Sequence, residues 1–319
     1  MKKRILGIIL IVLSILSFAI NSYAAGIEKI EFNAIEDFSI TAQGTNNWYY
    51  QYGDGENYEN YGTMVVSNSR WARLNDGAIA NYILNGTMQP GSGSYLKTAR
   101  VWVAPYDGIV SVGVKGNIYR LSTKSQAEAS VRIAHTDKNF KEYLYEANAN
   151  GKLWNGTVGA GDTTGVADAY ALEVAVSAGD RLYFEVSSAN ISSAEVIWNP
   201  TVSYIQAVNF SVNGEKKNAM SDVLSGDVLT CEVYDKYAIT ETSNIYLVVY
   251  DDMGRVRTIG NAATFDVGDT SDRKTEATVT MPTLSGEQTF KDWKVGFMAF
   301  TQTPGRYYSV IPANTLFLK

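Results

Sequence analysis

Residues Val101–Gly116 read VWVAPYDGIVSVGVKG, and this stretch has the clearest strand pattern in the chain. Valines recur at every second position on both sides of a Pro-Tyr-Asp-Gly turn at 105–108. Alternation at period two is typical of a β-strand that buries one face. Proline and glycine supply the backbone dihedral angles that a tight turn requires. The stretch therefore predicts a β-hairpin that is buried on one face.

A second stretch repeats this pattern at Leu172–Val186. Alternating apolar residues lie on both sides of a Ser-Ala-Gly-Asp turn at 177–180, which predicts a second hairpin. Short alternating segments recur through the rest of the chain, and no segment keeps the spacing of an amphipathic helix over three turns. Many short strands separated by turn residues predict an all-β fold, either a sandwich or a jelly roll.

The amino terminus has the layout of a secretory signal peptide. Three basic residues at 2–4 precede an apolar run over 5–20, and small residues follow at 22–25. The apolar run is shorter than the roughly 20 residues that a membrane-spanning helix needs, which argues against an uncleaved anchor. We therefore expect residues 1–24 to be removed. The mature protein is then secreted, either extracellular or associated with the cell surface, with no membrane insertion.

Charge and cysteine content narrow the classes of partner. Removal of residues 1–24 takes away three basic side chains and no acidic ones, so the formal charge falls from −6 to −9. An acidic chain without basic clusters is a poor partner for nucleic acid or for an anionic membrane. The single cysteine, Cys231, lies among alternating apolar residues. We expect it to be a buried apolar side chain without a disulfide.

The chain divides into two parts at about residue 206. The strand pattern of the first part closes at IWNPTVSY, residues 197–204, and a new series of strands begins near Ala207. About seven strands in about 110 residues is the size of an immunoglobulin-like sandwich. We expect a jelly-roll module over 25–206, followed by a smaller immunoglobulin-like module over 207–319.

The first part resembles a secreted bacterial jelly-roll module of the carbohydrate-binding type. Four motifs carry the likeness, in the order of that family: TARVWVAPYDGIVSVGVKGNI at 98–118, Leu153-Trp154, VAVSAGDRLYFEVS at 174–187 and IWNPTVSY at 197–204. The resemblance implies a jelly-roll fold, non-catalytic carbohydrate binding and, in many such modules, a structural calcium ion. The residues that match, such as Trp102, are framework positions of the family.

The second part looks like the immunoglobulin-like accessory modules at the ends of clostridial and related extracellular proteins. The likeness rests on YDDMGRV at 250–256 and WKVGFM at 293–298. It implies a spacer or accessory role for this part of the chain.

The aromatic and amide-rich stretch 46–61 supplies the candidate ligand site. Sugar recognition combines aromatic faces, which pack against the apolar side of a pyranose, with amides and carboxylates that pair its hydroxyl groups. The aromatic residues at 48, 50 and 52 alternate at period two, which favours core positions in a strand. Residues in and beyond the turn at 53–57 are better placed to meet a ligand. The candidate carbohydrate-binding residues are Tyr52, Asn57, Tyr58, Tyr61 and Trp71.

The polar residues also include candidates for metal binding and catalysis. Asp54 and Glu56, with Asn57 and backbone carbonyls, could bind calcium through hard oxygen ligands, or could form a solvated turn. The only histidine, His135, is not accompanied by a Gly-x-Ser-x-Gly motif and is expected at a solvent-facing strand end. Glycoside hydrolysis needs only two carboxylates, whose separation in space a single sequence does not give.

The sequence therefore predicts a secreted, non-catalytic carbohydrate-binding protein that recognises an extracellular polysaccharide or glycan. Two alternatives stay open. One is a structural or cell-surface interaction protein without sugar binding, which a large exposed apolar patch would favour. The other is a carboxylate-dependent polysaccharide hydrolase or lyase, which a cleft with two converging carboxylates would favour. Exposed aromatic side chains gathered in one groove would favour the binding protein.

Overall fold

The computed structural model describes residues 26–75, 78–91, 97–114, 118–121, 127–145, 153–165, 172–188, 195–215, 217, 220–236, 243–261, 263–265, 274–285 and 289–301. Their contacts divide them into two compact units. One unit is Lys29–Ile205, and the other contains the described residues from Gln206 onward together with 26–28. Both units consist of antiparallel sheets, and the described residues contain no helix beyond three short 3-10 turns. The predicted all-β sandwich class is confirmed.

The strands alternate with turns along the whole described chain. The first unit contains β1 (Glu31–Asn33), β2 (Trp48–Gly53), β3 (Gly62–Thr63), β4 (Val65–Ser67), β5 (Arg70–Asn75), β6 (Ala78–Ile83), β7 (Thr87–Gln89), β8 (Lys97–Val103), β9 (Asp107–Val114), β10 (Tyr119–Arg120), β11 (Ala129–Thr136), β12 (Trp154–Val158), β13 (Leu172–Val176), β14 (Arg181–Ser187), β15 (Val196–Ile197) and the start of β16 (Pro200–Val212). The second unit contains the rest of β16, then β17 (Val228–Asp235), β18 (Ser243–Tyr250), β19 (Val256–Ile259), β20 (Ala263–Phe265), β21 (Lys274–Thr280) and β22 (Lys294–Thr301). The 3-10 turns are Thr45–Asn47, Tyr58–Asn60 and Met220–Asp222.

Three sheets build the first unit. Sheet I has the strand order β12-β11-β14-β8-β2-β3, sheet II has β13-β9-β16 with β1 paired to β16, and sheet III has β10-β15-β7-β6-β5-β4. Aromatic rings join sheet I to both of the others. The ring centroid of Trp102 on β8 lies 5.4 Å from that of Phe32 on β1, and Tyr50 on β2 stacks on Trp71 of β5 at 5.2 Å. Sheet I therefore forms one layer of a sandwich, and sheets II and III form the other.

The prediction of two hairpins is wrong. In each segment the two strands lie in different sheets and do not pair with each other. β8 lies in sheet I and β9 in sheet II, while β13 lies in sheet II and β14 in sheet I. The two crossings are stacked, since β8 pairs with β14 and β9 pairs with β13. Alternation at period two indicates which residues face the core. It does not indicate which strands pair, because two strands in opposite layers of a sandwich show the same alternation as two paired neighbours.

Hydrogen bonds between the two turns hold these crossings together. The Ala104 N–H donates to the Asp180 carbonyl, and the Gly179 N–H donates to the Ala104 carbonyl, both at 2.8 Å. The hydroxyl of Tyr204 on β16 donates to the Tyr106 carbonyl at 2.8 Å. Three of the four motifs quoted from the sequence, those at 98–118, 174–187 and 197–204, thus meet at one corner of the sandwich.

The second unit has its own core. One of its layers contains β16, β17 and β21, and the other contains β18 with β19, β20 and β22. Leu229 and Cys231 of β17 pack with Leu247 and Val249 of β18, and all four are fully buried. The prediction that Cys231 is a buried side chain without a disulfide is confirmed.

One prediction about the ends of the chain, the signal peptide over 1–24, falls outside the described residues. In the part of the chain that the structure describes, no helix is long and apolar enough to cross a membrane.

Replacement of Trp102 by alanine tests the core of the first unit. Trp102 is fully buried between Phe32 and Tyr204, and truncation of a buried tryptophan costs about 3–5 kcal/mol. We expect Trp102→Ala to lower the free energy of unfolding of this unit by that amount in urea denaturation. Leu144→Ala is the control, because Leu144 is 75% exposed and its loss should change stability by less than about 0.5 kcal/mol. Equal effects of the two substitutions would contradict the described packing.

A single carboxylate organises the turn between β18 and β19. The buried Asp251 side chain accepts hydrogen bonds from the Nε atoms of Arg255 and Arg257, each at 2.8 Å, and from the N–H groups of Met253 and Arg255. Burial by itself raises the pKa of Asp251. The hydrogen bonds and the two guanidinium charges more than offset burial, so the pKa falls to about 2.

Acid titration tests this turn. The pKa of Asp251 in the folded protein lies below its ordinary value of 3.8, so the carboxylate stabilises the fold above about pH 4. This contribution is lost as the pH falls through about 2. We expect Asp251→Asn to be less stable than wild type at pH 7 in urea denaturation, with a difference that shrinks toward pH 2. Asp252→Asn, at the exposed neighbouring position, should show no such trend. A stability difference that stays constant with pH would contradict the role assigned to Asp251.

Candidate functional site

Sheet I has one face in the sandwich core and an outer face that points away from it. The residues that alternate with the core positions form the outer face, and the strand register aligns one residue from each strand across the sheet. This polar row contains Asn155, Arg132, Glu185, Ala99, Gln51 and Thr63. All but the alanine are polar. Six strands at a spacing of about 4.8 Å make the row about 24 Å long, which suits an extended ligand.

The segment Asp54–Tyr61, here called the strap, connects β2 to β3 and covers the middle of the outer face. The Tyr58 and Tyr61 rings pack on Tyr183 of β14, with centroid distances of 4.5 and 5.3 Å, and stack on each other at 5.1 Å. Tyr58 is 2% exposed and Tyr61 is 8% exposed. The small apolar residues of sheet I beneath them are Ala99, Val101 and Ala134. The strap tyrosines therefore turn their rings toward the sheet.

An ion pair of the polar row anchors the strap. Arg132 Nε donates to Glu185 Oε2, and the Tyr61 hydroxyl donates to Glu185 Oε1. Arg132 Nη2 donates to the Gly55 carbonyl and, at 3.3 Å, to the Tyr58 hydroxyl. The Glu185 side chain is 1% exposed and that of Arg132 is 19% exposed. Both strap tyrosines thus combine a stacked ring with a hydroxyl group that is bound by a charged side chain.

Burial, followed by the negative charge of Glu185, raises the pKa of Tyr58 and of Tyr61 well above the ordinary value of 10.0. Burial also raises the pKa of Tyr183, to about 12. The phenol groups are therefore neutral over the physiological pH range, and Tyr61 keeps the proton that it donates to the carboxylate.

Local interactions shape the strap. The Asp54 carboxylate accepts hydrogen bonds from the N–H groups of Glu56 and Asn57 at 2.9 and 3.1 Å, and these bonds lower the pKa of Asp54. At Gly53 a Cβ atom would overlap the Tyr61 ring. Glycine at this position therefore lets the ring lie directly against the strand backbone.

Four of the five predicted carbohydrate-binding residues lie in or beside the strap. Asn57, Tyr58 and Tyr61 belong to it, and Tyr52 lies on β2 just before it. The Arg73 guanidinium lies over the Tyr52 ring, 5.0 Å from its centroid. Asn57, Tyr58 and Tyr61 thus lie in one segment, whereas Tyr52 alternates with Gln51 and faces Arg73 of sheet III. The two strap tyrosines, which were expected to face a ligand directly, are buried.

The prediction for Trp71 needs correction. Trp71 lies in β5 and not on a loop, its ring is buried against Tyr50, and its indole N–H donates to the Ser39 carbonyl at 2.7 Å. One face of the indole and its polar edge are thus engaged by the protein, and the side chain is almost fully buried. Trp71 is therefore a core residue that joins sheets I and III.

The prediction for His135 also needs correction, because this side chain is buried. Its Nδ1 lies 2.6 Å from the Tyr145 hydroxyl, and its Nε2 lies 3.3 Å from the Asp180 carboxylate. The same Asp180 oxygen accepts the Ser177 N–H at 2.8 Å, and the Tyr143 ring lies 4.3 Å from the imidazole. With both ring nitrogens engaged, His135 links β11 to the turn before β14 and to the segment 143–145.

Asp54 and Glu56 are the calcium ligands suggested by the sequence, and among the described residues they do not belong to a larger cluster of acidic side chains. One Asp54 oxygen is engaged by the two strap N–H groups, and Glu56 is exposed. Within the described ranges, no group of three or more His, Cys, Asp or Glu side chains lies close enough to hold a metal ion. Calcium binding at Asp54 and Glu56 stays a prediction.

Sequence reasoning missed Arg132, Glu185 and Tyr183, which hold the strap. A signal was present, because Arg132 and Glu185 are charged residues that alternate with apolar ones inside strands β11 and β14.

The hypothesis of a carbohydrate-binding protein also predicts exposed aromatic side chains. Among the residues whose burial the structure describes, Tyr143 is the most exposed aromatic residue, at 43%.

Comparison with known proteins gives no family for this chain. No protein-family model matches it, and a search of curated proteins finds no match. Solved structures show remote similarity. The N-terminal CBM22-1–CBM22-2 tandem domain from Paenibacillus barcinonensis Xyn10C is 11% identical, over 90% of this chain and 94% of that one, with a TM-score of 0.26.

Two glycosidases show similarity at the same level. A Bacteroides uniformis β-glucuronidase is 11% identical over 87% of this chain and 31% of that one, with a TM-score of 0.24. A GH2 β-galacturonidase from Eisenbergiella tayi is 7% identical over 86% and 41%, also with a TM-score of 0.24. This chain spans less than half the length of either glycosidase. TM-scores this low do not show a shared fold.

A double-mutant cycle tests the anchoring ion pair. Removal of one partner of a buried pair is costly, and because Arg132 is partly exposed we expect Arg132→Met or Glu185→Leu to cost about 2–4 kcal/mol in urea denaturation. The double substitution should cost less than the more harmful single one, because it leaves no unpaired charge. Glu173→Leu, at an exposed carboxylate on β13, is the control. Additive losses would contradict the coupling described here.

Proposed function

We propose that the unit Lys29–Ile205 binds an extracellular glycan without catalysing its cleavage, at the outer face of sheet I. The observation that carries this proposal is the polar row of sheet I beside the buried tyrosine cluster. Amide, hydroxyl and charged groups pair the hydroxyl groups of a sugar, and tyrosine rings pack against its apolar side. A row that crosses six strands suits an oligosaccharide better than a single sugar, since five of its six residues are polar.

The charges around this face favour a neutral glycan. Arg132 is already paired with Glu185, and the strap exposes the carboxylates of Glu56 and Glu59 to solvent. The formal charge of the whole sequence is −6. A polymer of uronic acids would therefore approach like charge, which slows association and weakens binding.

A second candidate function, contact with another protein, is favoured by a different observation. β4 is the last strand of sheet III, and Val65 and Val66 on it are exposed, as is Leu74 on the neighbouring β5. An edge strand with exposed apolar side chains is a place where a second chain can pair. In this case the protein would act as a surface interaction protein.

A binding panel tests the proposed function. We expect the full-length protein to bind at least one of xylan, β-glucan and mannan in affinity electrophoresis, and to bind polygalacturonate less well. Asn155→Ala should weaken binding about three- to tenfold, the effect of one lost hydrogen bond to an uncharged ligand. Asn139→Ala is the control, since Asn139 is an exposed asparagine in the turn after β11.

One outcome would contradict the proposal. Absence of binding to all four polysaccharides would remove the glycan hypothesis. A concentration-dependent dimer in the same samples, lost on Val66→Lys, would then support the interaction protein.

A further inference from the structure

We infer that the strap tyrosines occupy positions that sugar rings take in the bound state, so that a glycan binds sheet I by displacing the strap. This inference rests on the proposed function and locates its site beneath Asp54–Tyr61. Tyr58 and Tyr61 are flat rings with one hydroxyl group each, and both pack on the Tyr183 ring. Their hydroxyl groups are bound by Arg132 and Glu185. A pyranose offers the same two features, a flat apolar side and hydroxyl groups at its edge.

The hydrogen bonds of the strap can be exchanged for those of a glycan without leaving a charge unpaired. Glu185 Oε1 accepts a hydrogen bond from the Tyr61 hydroxyl, and a sugar hydroxyl can donate in the same way. Arg132 Nη2 donates to the Gly55 carbonyl and the Tyr58 hydroxyl, and sugar oxygens can accept both bonds. The ion pair between Arg132 and Glu185 stays in place in both states, so the exchange does not require the separation of two buried charges.

One group on this face is ready for a ligand and is not used by the strap. Gln51 Oε1 is buried and has no hydrogen-bond partner among the described residues. Gln51 belongs to the polar row, opposite Ala99 and Thr63. A buried acceptor without a donor costs free energy, and a sugar hydroxyl laid along the row would supply the donor.

The strap is built so that it can leave as a unit. The pairing of Gln51 with Thr63 and of Tyr52 with Gly62 closes its base. Glycines stand at both ends, Gly53 at the end of β2 and Gly62 at the start of β3. The backbone hydrogen bonds recorded inside the strap, from Asn60 to Asn57 and from Tyr61 to Tyr58, are 3.2 and 3.3 Å long and connect strap residues to each other. Opening therefore preserves the pairing at the base of the strap.

A substitution in the strap that raises the affinity for the glycan indicates displacement of the strap, whereas one that lowers it indicates direct contact between the strap tyrosines and the glycan. If the strap competes with the glycan, a looser strap raises the fraction of protein that is competent to bind, and the apparent affinity rises by the same factor. If Tyr58 and Tyr61 contact the glycan themselves, their loss lowers the affinity. Tyr61→Phe removes only the hydroxyl group bound to Glu185, and keeps the ring packed on Tyr183.

The experiment is a calorimetric titration of the full-length protein with xylohexaose, cellohexaose and mannohexaose. We expect Tyr61→Phe to bind the preferred hexasaccharide about three- to tenfold more tightly than wild type, since one hydrogen bond of the strap is lost. The double variant Tyr58→Ala/Tyr61→Ala should gain at least about tenfold. Tyr82→Phe is the matched control, because Tyr82 is also 8% exposed and donates its hydroxyl to a carboxylate, that of Glu195, in another part of the unit. It should leave the affinity unchanged.

Three results would overturn the inference. Binding by wild type together with weaker binding by both strap variants would show that the tyrosines contact the glycan, so the inference fails while the proposed function stands. Unchanged affinity of Tyr61→Phe, with its fold intact by near-ultraviolet circular dichroism, would show that the strap does not compete. Absence of binding by wild type and by both variants would remove the inference and the proposed function together.

Discussion

The buried ion pair between Arg132 and Glu185 is the constraint on which the outer face of sheet I depends. A carboxylate that is almost fully withdrawn from water needs partners for each of its oxygens. Arg132 supplies one partner and the Tyr61 hydroxyl supplies the other. Because the second partner comes from the strap, the strap must lie on the sheet for as long as no other hydroxyl group replaces it. The burial of the tyrosines and the glycine beneath Tyr61 follow from this requirement.

The sandwich core fixes the other face of the same strands, and so fixes the register of the polar row. Trp102 packs against Phe32 and Tyr204, while Tyr50 stacks on Trp71. A shift of one residue in any strand would carry these rings out of the core, so the register is strongly specified. The polar row therefore stands on a scaffold that does not need to move when the strap does. This is the arrangement expected of a binding site built on rigid strands with a covering segment between two of them.

The sequence was sufficient to predict the strands and the all-β class, because period two and turn residues are local signals. It was not sufficient to predict the partners of the strands. Val101–Gly116 has the pattern of a hairpin, yet β8 and β9 lie in different sheets, because pairing is decided by contacts with the distant β13 and β14.

The same limit applies to the candidate site. Tyr58 and Tyr61 were identified as candidate residues from the strap sequence alone, but their burial depends on Tyr183, which lies more than a hundred residues further along the chain. Arg132 and Glu185 meet only through the register of β11 with β14. Trp71 follows a turn in the sequence, and its place in the core depends on Tyr50 across the sandwich. Charged residues in the alternating pattern of two strands were a signal of the site that the prediction from sequence did not use.

Hydrogen–deuterium exchange in the presence of a bound oligosaccharide tests whether the strap is displaced when a glycan binds sheet I. An ordinary ligand-contacting loop becomes better protected on binding, whereas a displaced segment loses the contacts that protected it. If the strap is displaced, the amides of residues 54–61 exchange faster in the complex with the hexasaccharide that binds than in the free protein. The amides of β8 and β14 beneath them exchange more slowly in the complex. Slower exchange of the strap amides in the complex would contradict the displacement of the strap.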